Sequence, residues 1–520
     1  MTTTDTTSSI TLPRDSNQAI GIGRYACEFM SGRIGAPGDV VAARTTMFFT
    51  DSILCGLSAL ACRTNAPTIL RDEAHEYPRD DGACCLGSTE RVSPEKAIAA
   101  NTSAVREWDS NGTNFGYNPE LGHVAGEFGH NDFYAVPIAA AQVAGLDGAA
   151  ALRGMICLDE IRGRLAEVFS LKSYKIDHVV HGAIGSAAVY GAMLGATPEQ
   201  IESAIGMTVA HYVPWRAIRA GHQLSDSKGA SAAISTEVAI LSMQRAMRGF
   251  VGPGDIFRNP EALWRQFEPT SGDCPFDLVL SHSGDDFAVM GMHFKLGLYE
   301  HQSAGALQGL IDLMSANPDL LENPSMLKGI HITAYEPAFG IIGDPAKRDP
   351  HTRQSADHSM VYIVSTMLRK AFDFASEAGT GAIADGNDSW WKKLMLEPAD
   401  YGRDALHNEM TRGLMDGIEF KHGGSEYDER YPDGIPTSIR INLADGRELD
   451  SGFVMYPSGH ARNTTGDLKD ILTHKADLLG RIAMDDPGSI IDRCNGIGEL
   501  DAPGLLSLFD CQIELRDHID

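Results

Sequence analysis

Lys295 and His301 stand just ahead of an apolar run, 304–314, whose spacing is helical and whose start Ser303 is placed to cap. A helix N-terminus carries free N–H groups and partial positive charge, so a lysine and a histidine beside one suit an anionic ligand. Three other segments repeat the design. Ser225 and Lys228 lead into the run 229–240, Asp177 and His178 into the Ala/Gly-rich run 179–196, and His130 with Asn131 into 134–146, where Pro137 is tolerable only near the first turn. One cation at a helix start is commonly ordinary surface. Four such entrances, each opening onto an apolar helix that must be buried, point to one shared anion pocket. Other residues suit the same task. Asp109 and Thr113 are close enough in sequence for one helical turn or tight loop to aim both inward. Arg216 and Arg219 precede Lys228, and arginine grips carboxylates bidentately, although the pair alone reads equally well as solvated surface. His460 and Arg462 add a positive loop after Tyr456.

The elements that must position these residues are also legible. From about 16 to 275 the pattern is overwhelmingly helical and rich in Ala and Gly; the glycines of 182–191 read as packing residues that let helices approach closely. Residues 251–283, rich in Gly, Pro and acids, read as a connection or edge. Then the character changes. Residues 329–335 alternate like a strand, 437–456 read as a hairpin turning at Asp445-Gly446, and 359–375 are helical between them. Helix returns from about 464. The expected fold class is mainly α: a large all-α helical domain of residues 16–287 and 464–520, with an α+β domain, 288–463, inserted in it. Residues 1–15 read as a disordered polar tail.

Composition narrows the function. Of 520 residues, 43% are hydrophobic and 22% charged, as in ordinary globular proteins. Seventy acidic against 43 basic residues give a formal charge of −27, which repels nucleic acid and anionic membranes. A small anionic substrate must therefore be drawn in by a locally cationic pocket. No stretch approaches the continuous apolar length of a membrane span, and the N-terminal residues have no apolar core of a secretory signal. Nine cysteines occur without a C-x-x-C pair, so zinc and cysteine-held clusters are not expected and a cytoplasmic enzyme with reduced thiols is. Asn101, Asn111, Asn387 and Asn463 then match N-x-S/T by chance.

There is no phosphate-binding loop, no H-E-x-x-H and no nucleophile elbow, so any chemistry rests on the scattered constellation. Its residues do have a familiar order and spacing: Trp108-Asp109-x-Asn111-x-Thr113, Gly129-His130, Asp177-His178-Val179, Arg219 with Lys228, Phe294-Lys295 with His301-Gln302-Ser303, Ala356-Asp357-His358, and Tyr456-Pro457-x-Gly459-His460-Ala461-Arg462. Together they resemble the MmgE/PrpD family from about residue 90 to 463, more weakly through both ends. The resemblance implies a helical domain with an inserted α+β lid, a homodimer, and an active site lined by Asp109, Thr113, His130, His178, Lys228 and Lys295. Arg216, Arg219, His301, Gln302, His460 and Arg462 are expected to bind substrate. Where the family has a second acid in its Asp-x-x-Asp-Thr pattern this chain has Gly112, its His-Pro is His130-Asn131, and 118–127 is an extra stretch. Related decarboxylases use a lid tyrosine, near which only Tyr335 lies.

The implied activity is removal of water from 2-methylcitrate or a close tricarboxylate, as in propionate catabolism, with no cofactor and no metal. A carbon acid must lose a proton, the developing charge must be stabilised, and hydroxide must leave protonated. His178, beside a helix N-terminus, should be kept neutral and serve as base. His130 or Asp109 would be the acid, Lys228, Lys295 and Arg219 would hold carboxylates, and Thr113 would orient the substrate. Alternatives are cis-aconitate decarboxylation, another polycarboxylate lyase or epimerase, and, less favoured, a carboxylate-binding protein without catalysis.

Overall fold

The computed structural model describes residues 8–219, 223–379 and 386–519. Its first half is helical: α1 (Gln18–Met30), α2 (Asp39–Ala61), α3 (Asn65–His75), α4 (Pro94–Arg106), α5 (Ala135–Ala144), α6 (Gly148–Val168), α7 (Val179–Met193), α8 (Pro198–His211) and α9 (Asp226–Met247). Helix α7 is the centre. Every residue from Val179 to Gly191 is buried, so it has no polar face, and α5, α6, α8 and α9 surround it. Small residues make this possible. Gly182 faces the ring of Phe133, and a Cβ there would fall inside the ring's van der Waals envelope. The close approach brings the start of α7, with His178, against the loop that carries His130.

Helix α2 is long and apolar enough to cross a membrane by length and composition, which the reading by continuous apolar runs did not register. Here it packs against α4 and α6, and its buried Asp51 pairs with Lys475 at 2.7 Å. A second correction concerns the N-terminal tail. Residues Ser9–Leu12 form a strand antiparallel to Leu278–Ser281, and Arg14 pairs with Asp277 at 3.0 Å; Ile10 and Thr11 supply the β-branched shape that a strand favours. Residues 1–7 of the expected tail lie outside the described residues.

The second half contains a four-stranded sheet of order β2-β1-β3-β4, made of β1 (Leu327–Ala334), β2 (Ile418–His422), β3 (Thr437–Leu443) and β4 (Glu448–Asp450). Strand β1 is parallel to β2 and antiparallel to β3, and the β3–β4 hairpin turns at Asp445-Gly446, where Gly446 takes a φ of 90°. Alternation decides the faces. Ile330, Ile332 and Ala334 on β1, with Ile439 and Ile441 on β3, point into the core, and α10 (Ala304–Ala316) packs on β3. The short α11 (Glu336–Ile342) follows β1, and α12 (Met360–Ala378) packs on α10. Finally α13 (Leu468–Ala483) returns to α2, so both ends of the chain build the helical part.

The Gly182–Phe133 contact yields a stability prediction. Gly182→Val should cost about 1–3 kcal/mol by overpacking, read as a lower denaturant midpoint, whereas Gly145→Ala, beside no neighbour within 4 Å, should cost only the strain of its left-handed backbone.

Candidate active site

Six separated segments converge at one end of the helical body. Helix α4 ends at Arg106, and Trp108 then anchors the chain by donating its indole N–H to Ser58 at 2.9 Å. Asp109 follows in the left-handed region with φ 52°, an uncommon conformation for a residue other than glycine that turns its carboxylate back inward. Thr113-Asn114 pairs antiparallel with Gly129-His130 on one side and bridges His293 on the other, which fixes His130. His178 is the N-cap of α7, Lys228 lies in the first turn of α9, and a short helical turn, Arg353–Ala356, delivers Asp357 and His358. Two expected caps are absent. Ser225 and Ser303 occupy N-cap positions without capping, and Ser303 donates its hydroxyl to the Glu300 carbonyl at 2.7 Å.

The convergence is electrostatic. Asp109 Oδ1 accepts from both Arg106 and Lys295, and its Oδ2 lies 3.2 Å from His358 Nε2 and 3.7 Å from Lys228 Nζ. Lys228 in turn donates to both oxygens of Asp357 at 2.7 and 2.8 Å. Burial alone raises a carboxyl's pKa, but Arg106, Lys295, His358 and Lys228 outweigh it and hold Asp109 well below the usual range. Burial lowers Lys228 and Lys295 against the pull of these carboxylates. Asp132, 3.7 Å from Arg106 Nε, completes a balanced set of three cations and three acids.

Beside this cluster is a small cavity lined by Thr113, His130, His178, Arg216, Arg219 and, among others, Arg106, Glu300 and His358. The rings of His130 and His178 are 5.1 Å apart. Burial, reinforced for both by the Arg106 charge, pushes both well below the usual histidine value, so both are neutral at neutral pH. His178 Nδ1 faces Asp177 Oδ1 at 3.4 Å, and Arg219 holds the same carboxylate. His178 Nε2 and His130 Nδ1 are buried with no hydrogen-bond partner, a cost that native structures rarely carry without a reason. Glu300 is raised to about 7, first by burial and then by Asp109, so it carries a proton into the neutral range.

Thus Thr113, His130, His178, Arg216 and Arg219 share the cavity, while Asp109, Lys228 and Lys295 form the ion cluster adjoining it. Lys228 and Lys295 are paired with Asp357 and Asp109, as Arg219 is with Asp177, and Asp109 is held in its ionised form. Thr113 donates its hydroxyl to the Gly129 carbonyl at 3.0 Å. His301 and His460 lie in a second group with His293, whose ring is 5.3 Å from one and 4.1 Å from the other, beyond Phe115. Both nitrogens of His301, both polar atoms of Gln302 and His460 Nε2 are buried without partners. Arg462 is outside. It pairs with Asp433, stacks over Tyr117, and its side chain is 40% exposed. Reading the sequence missed Arg106 and Glu300 as site residues, although both adjoin quoted motifs, and left His358 as motif alone. Tyr335 is fully buried, stacked on Tyr431 at 4.8 Å, with an unpartnered hydroxyl.

Asp109, Asp357 and His358 bring ligand atoms within 4.8 Å of one another, a spacing that a metal ion requires. Lys228 and Lys295 already neutralise the two carboxylates, so a divalent ion there would meet two ammonium groups at close range; the residues present do not fit a metal.

Known proteins resemble this chain over most of its length. Residues 26–272 match the MmgE/PrpD N-terminal domain. The chain is 26% identical over 423 residues to the mitochondrial 2-methylcitrate dehydratase of Yarrowia lipolytica, covering 79% of this chain and 75% of that one. It is 23% identical over 425 residues to the 2-methylcitrate dehydratase of Escherichia coli (strain K12), with 79% and 80% covered. An alkylcitrate dehydratase from a fungal species is 23% identical over 332 residues, 63% of this chain and 60% of that one.

Removing one partner of a buried ion pair leaves an uncompensated charge, at about 3–5 kcal/mol. Asp109→Ala should therefore destabilise the protein by about that amount, seen in chemical denaturation. A loss below about 1 kcal/mol would mean that Arg106 and Lys295 do not depend on this carboxylate.

Proposed function

We propose that the chain, whose residues 26–272 match the MmgE/PrpD N-terminal domain, is a carbon–oxygen lyase of that family removing water from 2-methylcitrate or a close tricarboxylate, without a metal ion. One observation carries the reading: His178 Nε2 is neutral, unpartnered and on the cavity wall, with Asp177 behind its other nitrogen. An Nδ1–H facing Asp177 leaves the Nε2 lone pair free as a base. That base takes the proton from the substrate carbon, the C–H electrons form the double bond, and the C–O bond breaks. Hydroxide leaves as water by taking the proton of Glu300, the protonated carboxyl on the same wall. The resulting imidazolium is stabilised by Asp177, and transfer of its proton to Glu300 restores the enzyme. Arg216 on the same wall grips a substrate carboxylate, with Arg219 and Arg106 beside it already paired with Asp177 and Asp109. His130 completes the wall and donates or accepts a hydrogen bond to the bound acid.

The relatives' printed names and the cation-lined cavity support this assignment, and we place the reaction in propionate catabolism. We extend it to a homodimer in the cytoplasm; nine free thiols suit a reducing compartment. Tyr335 favours one second reading, decarboxylation of cis-aconitate, because its buried hydroxyl awaits a partner next to the site.

Incubation with 2-methylcitrate, citrate and cis-aconitate, with and without a chelator, separates these readings. Dehydration gives a rising absorbance of conjugated product that the chelator leaves unchanged; release of CO₂ from cis-aconitate instead would select the second reading. His178→Ala should reduce turnover by about 10²–10⁴-fold, and a near-normal rate would end the assignment. The pH profile is a separate check. Glu300 must be protonated to act, and its pKa is raised to about 7, so turnover should fall as pH rises through about 7. Glu300→Gln should lose both that limb and most of the rate.

A further inference from the structure

A second cleft, of about 850 Å³ counting its open side, adjoins the active cavity and shares Arg216, Arg219 and Ile341 with it. Its outer wall adds Lys172, Lys175 and Lys347, so five cations face two acids, Glu336 and Asp344, in a chain of formal charge −27. Arg219 is matched by Asp177 behind it. The others are not. Among the described residues Lys172, Lys175, Arg216 and Lys347 make no ion pair with a carboxylate. Asp344 spends an oxygen on the Ala346 N–H at 2.9 Å.

The cations are also built in. Lys347 is 3% exposed and donates to the Ile341 carbonyl at 2.5 Å. Lys172 donates to Tyr431 Oη at 3.1 Å and lies 4.0 Å over the ring of Phe128, which itself lines the active cavity. Burial pushes both ammonium groups down to about 8, against the pull of Glu127 on Lys172 and of Asp344 and Glu300 on Lys347. An arriving anion relieves that cost. Stranded cations of one sign in a low-dielectric cleft focus the field and raise the local concentration of a counter-charged ligand, increasing association rates by about 10–10³-fold.

We infer that this cleft is a vestibule that captures a polycarboxylate anion and passes it beneath Ile341 of α11 into the active cavity. The inference rests on the proposed lyase reading for the identity of the anion, and the two lysines that test it lie outside the active cavity: Lys175 is exposed and Lys347 follows α11. The vestibule acts on capture, so it governs kcat/KM and its salt dependence and leaves kcat alone.

The test uses Lys175→Glu, Lys347→Gln and, as a distant control on α13, the exposed Lys469→Glu. At low salt the two vestibule variants should lose about 10-fold in kcat/KM for 2-methylcitrate at unchanged kcat, and the loss should vanish near 1 M salt, where the Debye length is about 3 Å. Lys175→Glu guards against misfolding of the buried Lys347 variant. Binding of propane-1,2,3-tricarboxylate, which has no hydroxyl to eliminate, is measured by calorimetry in parallel. Weaker low-salt binding in the vestibule variants supports the vestibule even if no tricarboxylate is turned over, in which case the lyase reading alone fails. Wild-type kcat/KM, salt slope and binding in both variants, or an equal loss in Lys469→Glu, would overturn the vestibule and leave the lyase reading standing.

Discussion

Asp109 is a carboxylate with no access to water, and an unpaired charge there would cost several kcal/mol. Its burial is tolerable only because Arg106, Lys295, Lys228 and His358 all reach it. Those four come from the end of α4, the approach to α10, the first turn of α9 and the turn before α12. Each segment is thus fixed relative to the others by one anion, and the cavity is the space left beside their meeting point. The left-handed backbone of Asp109 belongs to the same constraint, since it aims the carboxylate at the cations.

Charge balance inside the cluster has a consequence for the cavity. Arg106, Lys228 and Lys295 are neutralised by Asp109, Asp357 and Asp132, so the cluster supplies rigidity and little net attraction. Attraction for a polyacid comes from Arg216 and from the unpaired cations beyond it. Burial first, and the nearby Arg106 charge second, keep His130 and His178 unprotonated. Neutral histidines beside an anion-binding wall are therefore one physical arrangement, and Asp177 alone is close enough to steady the imidazolium that catalysis would form on His178.

Much of this was legible in sequence. The apolar runs behind His130, His178, Lys228 and His301 announced buried helices, and burial of the residues at their starts followed. The Asp445-Gly446 turn and the alternating residues of β1 gave the sheet. What stayed hidden depends on tertiary partners. Nothing local reveals that Lys295 meets Asp109 across 186 residues or Lys228 meets Asp357 across 129, so both lysines looked free for substrate. Arg462 sits among motif residues, yet the neighbouring Asp433 draws it to the surface. Glu300 is flanked by Tyr299 and His301 and carries no signal of its own; only burial turns it into a protonated acid. The strand at Ser9–Leu12 was masked by its polar surroundings and appears because residues 278–281 offer an edge.

Gly112 and Asn131 meet at one corner beside the ion cluster. A Cβ on Gly112 would run into the ring of Phe48, which stacks on Phe294 at 3.7 Å, directly before Lys295. Asn131 closes the same corner by donating to Ser52 Oγ at 3.0 Å and to the Phe48 carbonyl at 3.4 Å, and it also lies against Gly112. An aromatic wall therefore fills the space that a side chain at position 112 would need. Adding a carboxylate there would tip three cations against three acids toward net negative charge and weaken the hold on a polyanion. Filling the corner with Phe48 keeps the balance at zero, and it leaves Glu300, rather than a residue of the Asp109–Thr113 segment, as the one protonated carboxyl described on the cavity wall.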